Sequence, residues 1–172
     1  IKYIFGTNGQ GQDVFAQTIC GARQTLFVGF SAGILVVIIG GLIGGIAGFY
    51  GGRIDDILSL LINVFLVMPG LPLMVILASW LPPSPGTLLG VLVLTGWAWN
   101  ARVIRSQMMT FKNRDFVSAA ILSGESNIRI IVVEIMPRML SLLASAFIGA
   151  SIYAIGAQAV SYTHLTLPTS RS

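Results

Sequence analysis

Phe116-Val117-Ser118-Ala119-Ala120-Ile121-Leu122-Ser123-Gly124-Glu125-Ser126-Asn127, followed after a β-branched run by Glu134-Ile135-Met136-Pro137, is the most patterned segment of the chain. From Phe116 to Ser123 the residues are mostly small or apolar and suit one or two helical turns. Gly124 is placed to end them, since glycine takes the left-handed conformation past a helix C-terminus without a Cβ penalty. Ser126 or Asn127 can then cap a second helix by offering a side-chain oxygen to its free backbone N–H groups. Pro137 marks where that second helix bends or re-enters a membrane. One local signal disagrees: Ile128-Arg129-Ile130-Ile131-Val132-Val133 reads as a strand on propensity. An open sheet edge between membrane spans would leave backbone groups unsatisfied, so helix is expected there too. The expectation is a knob of two short helices around a glycine turn.

Outside this segment the chain is too apolar to cover a globule in water. Of its 172 residues 55% are hydrophobic and 9% charged, against about 25% charged in ordinary soluble domains. No Asp, Glu, Lys or Arg occurs between Arg23 and Arg53, between Asp56 and Arg102, or between Arg138 and Arg171. A span needs roughly 20 apolar residues to cross the hydrocarbon, and each gap holds one or two. The fold class read from this pattern is all-α, a polytopic membrane protein with about four spans. The first runs from about Thr25 to Tyr50 and ends at Gly51-Gly52-Arg53. The second, Ile57 to Trp80, is interrupted by Pro69 and Pro72 and closes at Pro82-Pro83-Ser84-Pro85. The third runs from Thr87 to Val103, with Trp97 and Trp99 suited to an interface, and the fourth from near Met139 to at least Val160.

Orientation follows from the loops. Arg102, Arg105, Lys112, Arg114, Arg129 and Arg138 belong to one connection, and Arg53 lies two spans earlier, on the same face. The positive-inside rule puts residues 102–138 in the cytoplasm of a plasma membrane, with residues 1–24 and the proline turn outside. The formal net charge of +4 is therefore a matter of topology, and a nucleic-acid partner is not expected. Cys20 is the sole cysteine and His164 the sole histidine, so no Cys/His metal spacing exists. After Val160 the sequence turns polar, and Ser161-Tyr162-Thr163-His164-Leu165-Thr166-Leu167-Pro168-Thr169 resembles the translation of a sequencing-library adapter. The division expected is an extracytoplasmic segment 1–24, a transmembrane domain 25–160 that is part of a longer one, and a non-native tail 161–172.

Ser118-Ala119-Ala120, Gly124 and Ile135-Met136-Pro137 at this spacing resemble the EAA loop of ABC importer permeases. The resemblance extends to Gly6-Thr7-Asn8 with Gly11-Gln12-Asp13-Val14-Phe15, to Gly21-Ala22-Arg23, to Ala47–Gly52, to Pro69 and to Ala101–Gln107. That series is similar to the C-type permeases for dipeptides, oligopeptides or nickel, and covers essentially residues 5–160. It departs from the pattern at Ser118 (usually Glu), Asn8 (Asp) and Gln12 (Arg), and at Leu60 and Asn63, where many relatives have Arg and Asp. The resemblance implies a heterodimer with a second permease, two cytoplasmic ATPase subunits and an extracytoplasmic binding protein, besides membrane lipid. It also implies one further span before Ile1 and another after Val160. It would make Ser118, Ala119, Ala120, Gly124, Glu125, Ile135 and Pro137 the ATPase-coupling residues. Asn63, Met68, Pro69 and Met74 would lie near the translocation pathway, on or beside the kink made by the second span's prolines. A merely structural kink is the competing reading.

Other features carry weaker signals. Gly40, Gly41, Gly44, Gly45, Gly48 and Gly52 form overlapping small-xxx-small patterns that suit close helix packing in lipid. Arg102 and Arg105 read as anchors reaching lipid headgroups, and Asp55 and Asp56 as carboxylates at a helix N-terminus. Catalysis finds no footing, because a nucleophile needs a base within reach and the sole histidine falls in the tail. Nor is there a Gly-x-x-x-x-Gly-Lys loop to cradle phosphates. No cofactor is expected, and ATP would be hydrolysed on a separate chain. The alternative left open by composition is a membrane scaffold whose loop grips some other soluble partner.

Overall fold

A computed structural model describes residues 6–7, 13–82 and 84–166 of the chain. Asn8, Gly11 and Gln12 of the external motif, and the tail from Leu167, lie outside the described residues. Helix α1, Val14–Tyr50, is 37 residues long, or about 55 Å at 1.5 Å per residue, and outruns a hydrocarbon core of about 30 Å. It starts well before Thr25 because Asp13 caps it, accepting a 3.0 Å hydrogen bond from the Phe15 N–H, and no proline falls between Val14 and Gln24. Gly51 and Gly52, both at positive φ (68° and 57°), turn the chain into α2.

The expected second span is two helices, α2 (Gly52–Val67) and α3 (Gly70–Trp80). Met68 and Pro69 between them are extended, with ψ of 130° and 100°. The cause is local. A residue before proline is pushed out of the helical region, and Pro69 and Pro72 supply no N–H. Three helical runs are each long and apolar enough to cross a membrane: Val14–Tyr50, Pro85–Lys112 and Asn127–Ala159. Neither α2 nor α3 is that long, and together they form a broken helical segment. Its course beside α4 (Pro85–Lys112) is fixed by contacts in antiparallel order: Asp55 with Arg105, Phe65 against Trp97 at 5.0 Å, and Met74 clustered with Val91 and Leu92.

Helix α5 (Asp115–Leu122) and the short α6 (Asn127–Arg129) follow. The β-branched run is helical, as the membrane argument requires, but as a π-turn over Ile130–Ile135. A 3-10 turn, Met136–Met139, then leads into α7, Leu140–Thr166. Pro137 therefore does not end the helix. The widened turn in front of it, with the Met136 N–H on the Ile131 carbonyl, relieves the clash a proline ring makes with the carbonyl four residues back. Helix α7 runs past Val160 to Thr166, since residues 161–166 contain neither glycine nor proline.

The glycines of α1 decide the packing. Gly40, Gly44 and Gly48 lie on α4: a Cβ on Gly44 would run into the Ala101 carbonyl, and one on Gly48 would sit 2.6 Å from the Arg105 carbonyl oxygen. Gly29 and Gly33 lie on α7, near Ile155, Ser151 and Phe147. Gly41 and Gly45 meet only side-chain tips at 3.9 and 3.6 Å. Close backbone approach is how apolar helices gain attraction where lipid offers no hydrophobic drive.

Candidate functional site

Helix α5 closes with a full set of C-terminal hydrogen bonds. The Gly124 N–H bonds the Ile121 carbonyl at 3.0 Å and the Glu125 N–H bonds the Ala120 carbonyl at 3.2 Å. This is the Schellman pattern, and Gly124 at φ +77° occupies the position that needs a left-handed residue. Ser126 caps the next helix, its hydroxyl accepting from the Arg129 N–H at 3.4 Å. The arms of the knob are tied at their base. Arg138 pairs with Glu134 at 2.9 Å and lays its guanidinium over the Phe116 ring at 3.9 Å.

Beneath the turn the knob is continuous with the membrane helices. Val117, Ile130 and Ile135 are fully buried, in one cluster with Phe49 of α1, Ile104 and Met108 of α4, and Met139. The sequence-predicted coupling residues thus divide. Ser118, Ala119, Gly124 and Pro137 are exposed, Ala120 and Glu125 are half-buried, and Ile135 lies in the core, where it supports rather than touches. Two residues that sequence reasoning missed stand furthest out: Leu122 is 88% exposed and Ile128 71%, one on either side of the turn. Their signal was available, since a leucine just before a helix-ending glycine falls where no span can cover it.

A second feature lies at the α2–α3 break. A cavity of about 600 Å³ opens there, walled by Phe65, Met68, Gly70, Trp99, Asn100 and Tyr153 among others. Of the residues placed near a pathway by sequence, Met68 lines this cavity and Pro69 sits exposed in the break beside it. Met74 is wholly buried in the neighbouring core cluster, and Asn63 faces outward from α2.

Between cavity and knob lies a clamp. Arg105 of α4 grips Asp55 of α2 with both ends of its fork, Nε to Oδ1 and Nη2 to Oδ2, the latter at 2.6 Å. Ser59 donates a further hydrogen bond to Asp55 at 3.0 Å. Arg105 is therefore not a headgroup anchor, as its sequence position alone implied; Arg102, exposed, can be one. Asp55 does stand in the first turn of α2, and has a specific partner there as well.

A helical membrane chain with a glycine-turn knob rooted in its spans and one helical segment broken at proline can be compared with known proteins. Residues 40–168 match the family described as binding-protein-dependent transport system inner membrane component. The chain belongs to that family. It is 40% identical over 133 residues to the dipeptide transport system permease protein DppC of Bacillus subtilis, covering 77% of this chain and 42% of that one. It is 35% identical over 133 residues to the oligopeptide transport system permease protein OppC of the same organism, covering 77% and 44%. With OppC of Mycobacterium tuberculosis (strain H37Rv) the identity is 33% over 144 residues, covering 83% and 50%. The chain thus spans about half the length of these relatives. Membership places it in the membrane as a transport component.

Proposed function

We propose that this chain is part of a permease subunit of an ATP-driven importer of dipeptides or oligopeptides, and that the knob is where a cytoplasmic ATPase subunit docks. The observation that carries the reading is the pairing of an apolar tip with a buried root. Leu122 and Ile128 offer greasy contact to a soluble cleft, while Val117, Ile130 and Ile135 lock the same segment to α1 and α4. A surface loop made only for solubility has no reason to expose the first pair. A loop made only for connection has no reason to bury the second set. The full assembly would hold a second permease subunit, two ATPase subunits and an extracytoplasmic binding protein, with residues 102–138 in the cytoplasm by the positive-inside rule. Closure of the ATPase pair would push the tip, and the rigid root would carry the push into α4. The Arg105–Asp55 clamp would pass it to the broken segment, where Met68 and Pro69 border the path.

The test is Gly124→Trp in the assembled transporter. A Cβ at Gly124 meets nothing within 4 Å, so the bulk itself finds room, and the left-handed backbone adds a strain of about 1–2 kcal/mol. Membrane insertion should persist while substrate-coupled ATP hydrolysis is lost. Transport at the normal rate would refute the docking role.

A further inference from the structure

The cavity at the α2–α3 break contains a polar group that the fold leaves unused. Asn100 is only 7% exposed and lines the cavity, yet its carboxamide has no hydrogen-bond partner among the described residues. The amide is not sealed in the interior, where the unpaired atoms among the described residues are Glu125 Oε2, Ser151 Oγ and Gln158 Oε1; it opens onto the cavity with its hydrogen-bonding capacity free. On its other side α1 closes in: a Cβ on Gly40 would lie 3.1 Å from the Asn100 Cβ.

The opposite wall supplies acceptors. Pro69 and Pro72 have no N–H, so the carbonyls of Phe65 and Met68, four residues earlier, lack their helical donors. Both residues line the same cavity. The Tyr153 hydroxyl is nearby, 3.5 Å from where a Cβ on Gly70 would stand. Thr95 and Ser145 also line it, but their hydroxyls donate to carbonyls of their own helices. The rest of the wall is apolar or aromatic, with Trp99 the largest ring, and no acidic, basic, histidine or cysteine side chain lines it among the described residues. The volume, about 600 Å³, falls within the range usual for small-ligand sites.

We propose that this cavity binds an uncharged peptide unit and that Asn100 reads it. A carboxamide can donate to a peptide carbonyl and accept from a peptide N–H at once. The freed carbonyls of Phe65 and Met68 accept a second N–H, and an apolar side chain of the ligand lies against Phe65 and Trp99. The inference rests on the importer reading for its choice of ligand class. It adds that the charged termini of a peptide are not held here, because the lining offers no counter-charge among the described residues.

The experiment is fluorescence titration of the purified chain in lipid nanodiscs with N-acetyl-L-phenylalaninamide, a peptide unit blocked at both ends. Trp99 in the wall reports occupancy. Saturable binding is expected, weakened about tenfold by Asn100→Leu, which removes the polar contact at similar volume. Free phenylalanine, carrying both charges, should bind far more weakly. Gly149→Leu provides a second variant: it sits on the cavity wall where an added Cβ meets nothing within 4 Å, so it should fill the space without unfolding the chain and abolish binding. Absence of saturable binding, or equal affinity in Asn100→Leu, overturns the proposal. Displacement by octane with no effect of Asn100→Leu would instead make this an acyl-chain site and also overturns it. Binding with the expected Asn100 dependence in a chain that never associates with an ATPase subunit would sink the importer reading while leaving the site intact.

Discussion

Asp55 and Arg105 illustrate what a single pair can do in a chain with few charges. Each stands near the charged end of its helix, where either could have been left to water or headgroups. Their side chains are instead 12% and 27% exposed and joined by two parallel hydrogen bonds. Removing one partner leaves the other stranded at the membrane edge, whereas removing both leaves little uncompensated. A double-mutant cycle with Asp55→Asn and Arg105→Gln is therefore expected to show a coupling energy of about 1–2 kcal/mol, read by reversible unfolding in mixed micelles. Strictly additive losses would show that the pair holds nothing together. Gly124 makes the complementary point, because its role is set by backbone geometry and not by contact. It was legible from sequence, as was a cap at Ser126 or Asn127, of which Ser126 serves, because capping rules act within four residues. The Asp55–Arg105 pair was not legible, because no local rule joins residues fifty positions apart.

Among the elements, α1 carries the sharpest contrast. Gly44 and Gly45 are neighbours in sequence, but one faces the α4 backbone and the other only the tip of Met108. Gly44→Ala must separate two helices whose carbonyls cannot give way, and overpacking of this kind costs about 1–3 kcal/mol. Gly45→Ala meets a flexible methyl at 3.6 Å and should stay within about 0.5 kcal/mol of the parent. Equal losses for the two in the same unfolding assay would mean that α1 and α4 are not in close contact. The glycine pattern announced tight packing without naming its partner, since α4 and α7 present similar small and apolar faces. Likewise the prolines announced a break in the second span, because their missing N–H groups act locally. The cavity beneath that break was not legible. It needs Trp99, Asn100 and Tyr153 brought in from two other helices. The π-turn before Pro137 was hidden as well: composition says that a proline must be accommodated, and not which widening of the helix accommodates it.

Across the whole molecule, the proposed docking role implies that the chain of contacts from tip to cavity separates docking from transmission, so that the two can be broken independently. Leu122 touches no core, so Leu122→Asp should leave stability within about 0.5 kcal/mol and abolish association with the cognate ATPase subunit. Ile104, 1% exposed, lies in the cluster that joins the knob to α4 and never reaches the surface. Ile104→Ala opens a void at that joint, a change that costs about 2–5 kcal/mol in well-packed cores. The tip, capped by its own hydrogen bonds, should still bind. In the reconstituted transporter Ile104→Ala is then expected to retain the ATPase subunit, measured by co-purification, while substrate stimulation of ATP hydrolysis falls several-fold. Should stimulation stay normal with the void present, motion would have to pass from the knob by another route, most directly along the π-turn into α7. Should association be lost along with stimulation, the tip would depend on the joint for its own order. The knob would then be a folded part of the bundle's end and not a lever standing upon it.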